Sequence, residues 1–319
     1  MSRVAAVDCG TNSIRLLVAD VGGDSGGAAG PLADVAREMR VVRLGQGVDA
    51  TGAFVPEAIA RTRVALEEYA GIIADTGATS VRMVATSATR DAANRDEFFD
   101  MTAEVLGAVI PGAVAEVISG DEEAELSFAG AVGELGADGG PFAVVDLGGG
   151  STEIVLGDDA GVHAARSSDI GCVRLTERCL PGDPPGAGEV ADAEEFIAER
   201  FAAALDVVPV ERARTWVGVA GTMTTIAAIA LGLDRYDPER IHLARIPFDR
   251  LRDVCDRLVA MTREERAALP VMHPGRVDVI GGGALITRAL ARVFEERAGI
   301  GELVVSEHDI LDGIALSIG

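Results

Sequence analysis

A short pattern occurs twice in this chain, and its repetition constrains the fold more than any other sequence feature. The segment VAAVDCG begins at Val4, and FAVVDLG begins at Phe142 with the same order of apolar, acidic and glycine positions. At the same spacing, Ser13 corresponds to Ser151 and the apolar run 16–18 corresponds to 154–156. Each copy predicts a buried strand that ends in an aspartate, a tight turn and a second strand that runs back. The sequence is therefore interpreted as two duplicated halves.

The stretches that follow the two copies also correspond. In the first half, apolar spacing predicts, in order, a strand at 35–44, a helix at 56–74, and strands at 81–85 and 113–118 that each lead into a helix. In the second half, it predicts a strand at 162–167, a helix at 190–207, and strands at 216–220, 277–280 and 303–305. The glycine-rich residues 22–31 are predicted to form a loop.

These elements predict an α/β fold with two duplicated domains, each a mixed sheet flanked by helices. We place the domains at residues 1–125 and 126–319, with a cleft between them. The last helix, from about Glu307, is expected to pack back on the first domain.

All 28 basic residues are arginines, because the chain contains no lysine. This excludes Walker-type phosphate loops, Schiff-base chemistry and Ser-Lys hydrolysis, each of which needs a lysine amine. The net charge is −23, and neither half is basic. We therefore expect no DNA binding.

The cysteines and histidines show no metal-binding or disulfide pattern. Four cysteines lie far apart without a C-x-x-C pair, and four histidines form no H-E-x-x-H. This disfavours structural zinc and a disulfide framework, and favours the reducing cytoplasm. The chain shows no secretion signal and no apolar run of about 18 residues, so we expect no membrane span.

The segment DLGGGSTE, from Asp146 to Glu153, is the strongest chemical signal. A strand that ends in a carboxylate and enters three glycines lets backbone N–H groups approach an anion, because no Cβ blocks the path. The two carboxylates cannot bind phosphate themselves. Their expected task beside a phosphate is to hold Mg²⁺, directly or through water.

The segment DCGTNS, from Asp8 to Ser13, is the counterpart of this turn in the first half. It has fewer glycines and more side-chain donors, and Arg15 stands where the second copy has Glu153. Two such turns are expected to face each other across the cleft and to bind one phosphate chain from both sides.

A third signal is the acidic segment ISGDEEAE, which begins at Ile118 where a strand is predicted to pass into a helix. Acidic residues at a helix start usually complement the helix dipole. A carboxylate presented beside a phosphate can instead orient and deprotonate an attacking water. The residues alone leave open which glutamate points inward.

These three segments, together with ATSATR at 85–90 and GVAGT at 218–222, resemble the exopolyphosphatase/guanosine pentaphosphate phosphohydrolase family. The resemblance covers the chain from Val4 to the last helix. That family belongs to the actin/hexokinase/Hsp70 superfamily, whose duplicated ribonuclease-H-like domains agree with the repeat. The C-terminal HD-type domain of larger members has no counterpart in this sequence.

The resemblance implies a role for each matching position. Glu123 is the implied general base, with Glu122 as the alternative, and Arg90 is the implied phosphate-contacting arginine, whose planar guanidinium can bind two oxygens. The implied phosphate-binding residues are Gly10, Asn12, Ser13, Gly148, Gly149, Gly150, Ser151 and Thr222. The implied Mg²⁺ ligands are Asp8, Asp146 and Glu153.

The function expected from these features is Mg²⁺-dependent hydrolysis of terminal orthophosphate from inorganic polyphosphate by an activated water. Three alternatives stay open: hydrolysis of guanosine pentaphosphate, an ATP-dependent small-molecule kinase of the same superfamily, and a non-catalytic nucleotide or alarmone sensor. The resemblance also implies a homodimer. The glycine run 281–283 lies where ATP-using relatives bind the base, or else serves close helix packing, and we leave it out of the expected site.

Overall fold

The computed structural model of the chain describes residues 2–22 and 32–318. The first sheet contains the strands β1 (Ser2–Cys9), β2 (Ser13–Val21), β3 (Leu32–Val41), β4 (Ser80–Ala85) and β5 (Ala115–Val117). The second sheet contains β6 (Phe142–Leu147), β7 (Thr152–Asp158), β8 (Gly161–Ser168), β9 (Thr215–Val219), β10 (Ala244–Pro247) and β11 (Glu302–Val305). Most of the predicted loop 22–31 lies outside the described residues.

The helices connect and flank these strands. They are α1 (Val48–Thr51), α2 (Pro56–Thr76), α3 (Ser87–Asp91), α4 (Arg95–Gly107), α5 (Gly120–Val132), α6 (Cys172–Cys179), α7 (Ala187–Val207), α8 (Ala220–Ala230), α9 (Pro238–Ile241), α10 (Phe248–Ala260), α11 (Arg263–Ala267), α12 (Ile280–Ala298) and α13 (Ile310–Ile318). Among the described residues, no helix is both long and apolar enough to cross a bilayer.

Both sheets have the same strand order. The first is ordered β3-β2-β1-β4-β5, and the second is ordered β8-β7-β6-β9-β11 with β10 added at its edge. In each sheet, the first strand of the repeat pairs antiparallel with the next strand and parallel with β4 or β9. The predicted α/β fold with two duplicated ribonuclease-H-like domains is confirmed.

The chain divides into two compact units. The first contains the residues up to Gly130 and from Ile310 onward, and the second contains Ala131–Asp309. The sequence placed the boundary at residue 125, but α5 continues through that position to Val132. Leu126 packs in the same core cluster as the first sheet, which keeps most of this helix in the first unit.

The first sheet is covered by helices on both faces. Alternate residues of a strand point to opposite faces. Accordingly, Ala5 and Val7 pack in the core that includes α2 and α4, whereas Val4 and Ala6 pack in a second core with α13. The near-continuous apolar run of β1 follows from this two-sided burial.

The C-terminal helix α13 is fastened to the first unit by packing and by charge. A Cβ at Gly313 would collide with the Leu126 carbonyl, so the helix lies in close backbone contact with α5. The Asp312 carboxylate is 2% exposed and accepts a hydrogen bond from Arg37 of β3, with an N–O distance of 2.5 Å. A buried carboxylate needs such a partner.

The predicted strand at 277–280 is wrong. Residues Pro274–Arg276 form a short 3-10 helix, and Ile280 begins α12, so β11 takes the sheet position beside β9. Glycine has a weak helix propensity, but here the three glycines allow close packing of the helix. A Cβ at Gly282 would crowd α6, and a Cβ at Gly283 would crowd Thr222. In the described chain, the glycine run therefore serves close helix packing.

Candidate active site

The three-glycine turn of the second unit directs its carbonyl groups into the protein. The Gly148 carbonyl accepts a hydrogen bond from the Cys172 N–H at 3.0 Å, and the Gly149 carbonyl accepts one from the Val173 N–H at 2.9 Å. The Gly150 carbonyl accepts one from Arg174 Nε at 2.8 Å. Within the described ranges, the Gly149 and Gly150 N–H groups form no hydrogen bond. These two amides can therefore donate to an anion.

Gly171 allows the three-glycine turn to lie close to the start of α6. Gly171 precedes α6, and a Cβ there would collide with the carbonyl group of Gly149. The turn itself is closed by a hydrogen bond of 3.1 Å from the Gly148 N–H to the Ser151 carbonyl. Ser151 is 2% exposed. The turn is thus held from both sides in a fixed conformation.

The corresponding turn of the first unit has the same construction. The Gly10 N–H donates to the Ser13 carbonyl at 3.0 Å. The Thr11 carbonyl accepts from the Gly45 N–H at 2.8 Å, and the Asn12 carbonyl accepts from the Val42 and Arg43 N–H groups. The backbone N–H of Thr11 forms no hydrogen bond with the described residues. The repeated sequence therefore folds into two turns with the same polarity.

Asp146 and Glu153 lie directly opposite each other on β6 and β7. Their residues are 6% and 0% exposed, and the Ser167 hydroxyl donates to Glu153 Oε1 at 2.6 Å. Cross-strand neighbours have Cβ atoms about 5 Å apart. Two adjacent buried carboxylates form a hard oxygen donor set of the kind that suits Mg²⁺.

Asp8 and Arg15 occupy the corresponding positions of the first sheet and form an ion pair. The Nε and Nη2 atoms of Arg15 donate to Asp8 Oδ2 at 2.9 and 2.7 Å. The guanidinium compensates the charge of the Asp8 carboxylate, which is 6% exposed. The two halves therefore differ at these positions: the second unit carries two carboxylates, and the first unit carries an ion pair of aspartate and arginine.

Glu123 is a buried carboxylate beside Arg90. It lies in the first turn of α5 and is 7% exposed. Arg90 Nη1 donates to Glu123 Oε2 at 2.7 Å and to the Ile118 carbonyl at 3.1 Å. Burial raises the pKa of Glu123 to about 7, and the negative charge of Asp8 adds to this rise. The positive charge of Arg90 and a hydrogen bond with Thr86 act in the opposite direction and lower the pKa. Asp8, Arg90 and Glu123 are thus brought together within the first unit.

Glu122 points to a different set of partners. It is half-buried, and its Oε1 accepts a hydrogen bond from Arg82 Nη2 at 2.6 Å. Arg82 also donates to Glu116 and to Ser317 of α13. Of the two candidate glutamates, Glu123 therefore shares its surroundings with Arg90 and Asp8, and Glu122 serves the packing of α13.

Thr222 lies at the start of α8, two residues after Ala220, which has a φ of 69°. The Thr222 residue is 5% exposed and hydrogen-bonds with Cys172, and burial raises the pKa of that thiol. Cys172 also provides one of the amides that hold the glycine turn. Thr222 is thus next to the residue that supports the turn.

Arg276 lies close to Thr222, and the sequence did not reveal this. A Cβ at Gly221 would collide with its guanidinium, and Arg276 Nη1 donates to Thr225 Oγ1 at 2.9 Å. This places a cation at the N-terminal end of α8, beside Thr222. Nothing in the local sequence distinguishes Arg276 from the other arginines. The sequence analysis did not single out Gly171 or Ser167 either, although Ser167 lies in the strand predicted at 162–167.

Three further arginines near the sequence motifs differ in their surroundings. Arg288 forms ion pairs with Asp256 and Glu194 on the surface of the second unit. Arg166 is exposed on β8, opposite Ile154. Arg174, by contrast, contacts the glycine turn, because its Nε donates to the Gly150 carbonyl.

Comparisons with known proteins give a family match over most of the chain. The family model of the Ppx/GppA phosphatase family matches residues 17–318. Exopolyphosphatase 2 of Mycobacterium tuberculosis is 65% identical over 318 residues, which cover 100% of this chain and 99% of that protein.

Solved structures give the same result. The crystal structure of an exopolyphosphatase-like protein is 43% identical, with a TM-score of 0.93, and the match covers 99% of this chain and 98% of that one. A Ppx/GppA family member from Aquifex aeolicus is 31% identical, with a TM-score of 0.78 over 99% of this chain and 97% of that one.

Proposed function

Because the chain belongs to the Ppx/GppA phosphatase family, we propose that it is an exopolyphosphatase that hydrolyses terminal orthophosphate from inorganic polyphosphate. The 65% identity to the Mycobacterium tuberculosis protein named Exopolyphosphatase 2 supports this substrate. The observation that carries the reaction type is the buried carboxylate of Glu123, hydrogen-bonded to Arg90 at 2.7 Å.

Glu123 is proposed as the general base. A base acts best when its pKa lies near the working pH, and burial raises the pKa of Glu123 to about 7. The carboxylate accepts a proton from the attacking water, while Arg90, fixed by the Ile118 carbonyl, orients the carboxylate and contacts a phosphate oxygen. The active form is the deprotonated one, so kcat/KM should rise with pH through about 7.

The glycine turns are proposed as the phosphate cradles. In the second unit, the Gly149 and Gly150 N–H groups donate to phosphate oxygens, and the Ser151 position closes the turn. Gly148 does not donate to phosphate, because its N–H already donates to the Ser151 carbonyl within the turn. Its role in the cradle is to let the backbone approach Ser151 closely. In the first unit, Gly10, Asn12 and Ser13 form the equivalent cradle.

Asp146 and Glu153 are proposed to hold Mg²⁺, with Asp8 as a further predicted ligand. The adjacent carboxylates of β6 and β7 fit a hard divalent cation, whereas the charge of Asp8 is already compensated by Arg15. Bound Mg²⁺ supplies positive charge that stabilises the transferred phosphoryl group. Thr222 and the neighbouring guanidinium of Arg276 are proposed to contact the substrate at the start of α8.

Guanosine pentaphosphate is the second candidate substrate, because the family that the sequence motifs resemble includes guanosine pentaphosphate phosphohydrolases. The turn amides recognise phosphate and do not depend on what lies beyond it. The homodimer implied by the family resemblance and the cytoplasmic location indicated by the cysteine pattern stay predictions.

The experiment is a phosphate-release assay on the purified chain with polyphosphates of several lengths, guanosine pentaphosphate and ATP, each with Mg²⁺ and with chelator. We expect release from polyphosphate that stops with chelator. Phosphate release from guanosine pentaphosphate alone would reassign the substrate. ATP-dependent transfer to an acceptor would identify a kinase, and binding without release would identify a sensor.

A further inference from the structure

Glu134, His242 and His308 bring one carboxylate and two imidazoles together in the second unit. Each residue offers one ligand atom, and the three atoms lie within 4.8 Å of one another. The three residues are far apart in the sequence, which is why no ligand spacing revealed them. None of them has a role in the proposed hydrolysis.

The side chains of this cluster already contact one another. His242 Nε2 lies 2.9 Å from Glu134 Oε2, and His308 Nε2 lies 3.9 Å from Glu134 Oε1. The two imidazole rings meet edge to face, with centroids 4.7 Å apart. Both imidazoles therefore present the same nitrogen, Nε2, to one carboxylate.

The backbone around the cluster is well fixed. The buried Ser306 hydroxyl donates to the His308 carbonyl and accepts from the His308 N–H, at 2.8 and 3.0 Å. The Ser306 N–H donates to the Gly218 carbonyl of β9. On the other side, the Leu243 N–H donates to the Val305 carbonyl of β11 at 2.7 Å. The two histidines are thus anchored to neighbouring strands, as ligands of a preformed site should be.

The composition of the chain makes this convergence informative. The sequence contains four histidines and 28 arginines. Across residues 2–22 and 32–318, Glu134 has no arginine partner and bonds only with the two histidines. The surface carboxylates of this protein pair with arginine more often than with histidine, as Glu295 does with Arg252.

We propose that Glu134, His242 and His308 form a binding site for a divalent transition-metal ion, with Zn²⁺ as the best fit. Two imidazole nitrogens and one carboxylate suit zinc and disfavour Mg²⁺, which selects oxygen ligands. Three protein ligands leave a fourth tetrahedral position for water. The site is distinct from the proposed Mg²⁺ ligands in both residues and donor chemistry.

Metal binding changes the position of one proton. The Glu307 N–H donates to His242 Nδ1 at 3.2 Å, so in the neutral metal-free ring the proton is on Nε2, where Glu134 accepts it. The metal needs the Nε2 lone pair. The ring proton therefore moves to Nδ1, and the Glu307 N–H gives up its long hydrogen bond. Three coordinate bonds replace this bond and the Glu134–His242 contact.

The positions of the ligands in the chain give the site a consequence for folding. Glu134 follows the point where the chain leaves the first unit, after Gly130, and His308 precedes the point where it returns, at Ile310. A bound ion would join these two connecting segments. It should therefore stabilise the native chain against unfolding.

The test is a Zn²⁺ titration of the full chain after chelator treatment, by isothermal calorimetry in excess Mg²⁺, which occupies the hard oxygen sites. We expect one Zn²⁺ per chain, at least about tenfold weaker binding in Glu134→Gln and His308→Asn, and unchanged binding in His163→Ala. His163 is the matched control, because it pairs with Asp158 at 3.1 Å and offers a single imidazole.

Thermal unfolding gives a second readout that needs no activity. Zn²⁺ should raise the Tm of the unsubstituted chain and of His163→Ala, and should leave the Tm of His308→Asn unchanged. Circular dichroism verifies that each variant is folded. Absence of stoichiometric zinc binding would overturn the proposal, and so would zinc binding in Glu134→Gln and His308→Asn that is as tight as in the unsubstituted chain. Neither measurement uses phosphate release, so the result is independent of the proposed hydrolysis.

Discussion

Replacing Glu123 with glutamine should make the protein more stable at neutral pH, because it removes a carboxyl group whose ionisation is opposed by burial. Burial raises its pKa from 4.5 to about 7. In the unfolded chain the group has its ordinary pKa, so the native state binds more protons between these two values. The contribution of this group to the stability of the native protein is therefore fully present below about pH 4.5 and is lost as the pH rises through about 7.

The size of this effect follows from the pKa difference. One pKa unit corresponds to about 1.4 kcal/mol, so the interval from 4.5 to about 7 corresponds to about 3 kcal/mol. Glutamine carries no charge at any of these pH values. Above pH 7, Glu123→Gln should therefore exceed the unsubstituted chain by roughly 2 to 3 kcal/mol in free energy of unfolding, and the difference should disappear near pH 4.5.

The measurement is urea unfolding, followed by circular dichroism, at a series of pH values on both sides of this interval. Glu122→Gln is the matched control, because its carboxylate is half-buried and pairs with Arg82 at 2.6 Å. That substitution should change the stability by less than about 1 kcal/mol. A stability difference for Glu123→Gln that is independent of pH, or a destabilised variant above pH 7, would refute the reasoning.

Three further predictions test other parts of the structure. Chelator should abolish phosphate release, and Asp146→Asn should raise the Mg²⁺ concentration needed for half-maximal activity by at least about tenfold; equal Mg²⁺ dependence would contradict the ligand assignment. Arg37→Ala removes the ion pair with the Asp312 carboxylate, which is 2% exposed, so it should cost about 2 kcal/mol and increase amide exchange in α13. Gly171→Ala should cost about 2 kcal/mol and weaken polyphosphate binding, because its Cβ would displace the Gly149 carbonyl, whereas Gly188→Ala has open space and should cost nothing.

The repeat made the central architecture predictable. Because VAAVDCG and FAVVDLG each specify a buried strand and a turn, the two hairpins and their glycine turns follow from the sequence alone. The pairing of Asp146 with Glu153 follows from the same hairpin register. These features depend on local periodicity, which a sequence displays directly.

The remaining features depend on tertiary packing. Glu122 and Glu123 differ by about 100° around α5, and only the packing of the helix decides that Glu123 is buried beside Arg90. The run 277–280 is too short to separate strand from helix, and the glycines 281–283 that follow it allow α12 to pack closely against α6 and Thr222. Arg276 and the Glu134–His242–His308 cluster come from distant segments, so no local spacing could reveal them.

The general-base role of Glu123 is tested most directly by single-turnover phosphate release from polyphosphate with Glu123→Gln, measured beside substrate binding. We predict that release falls by at least about 100-fold while the Kd for polyphosphate changes little, and that Glu122→Gln keeps nearly full activity. A Glu123→Gln enzyme that releases phosphate at the unsubstituted rate would contradict the mechanism.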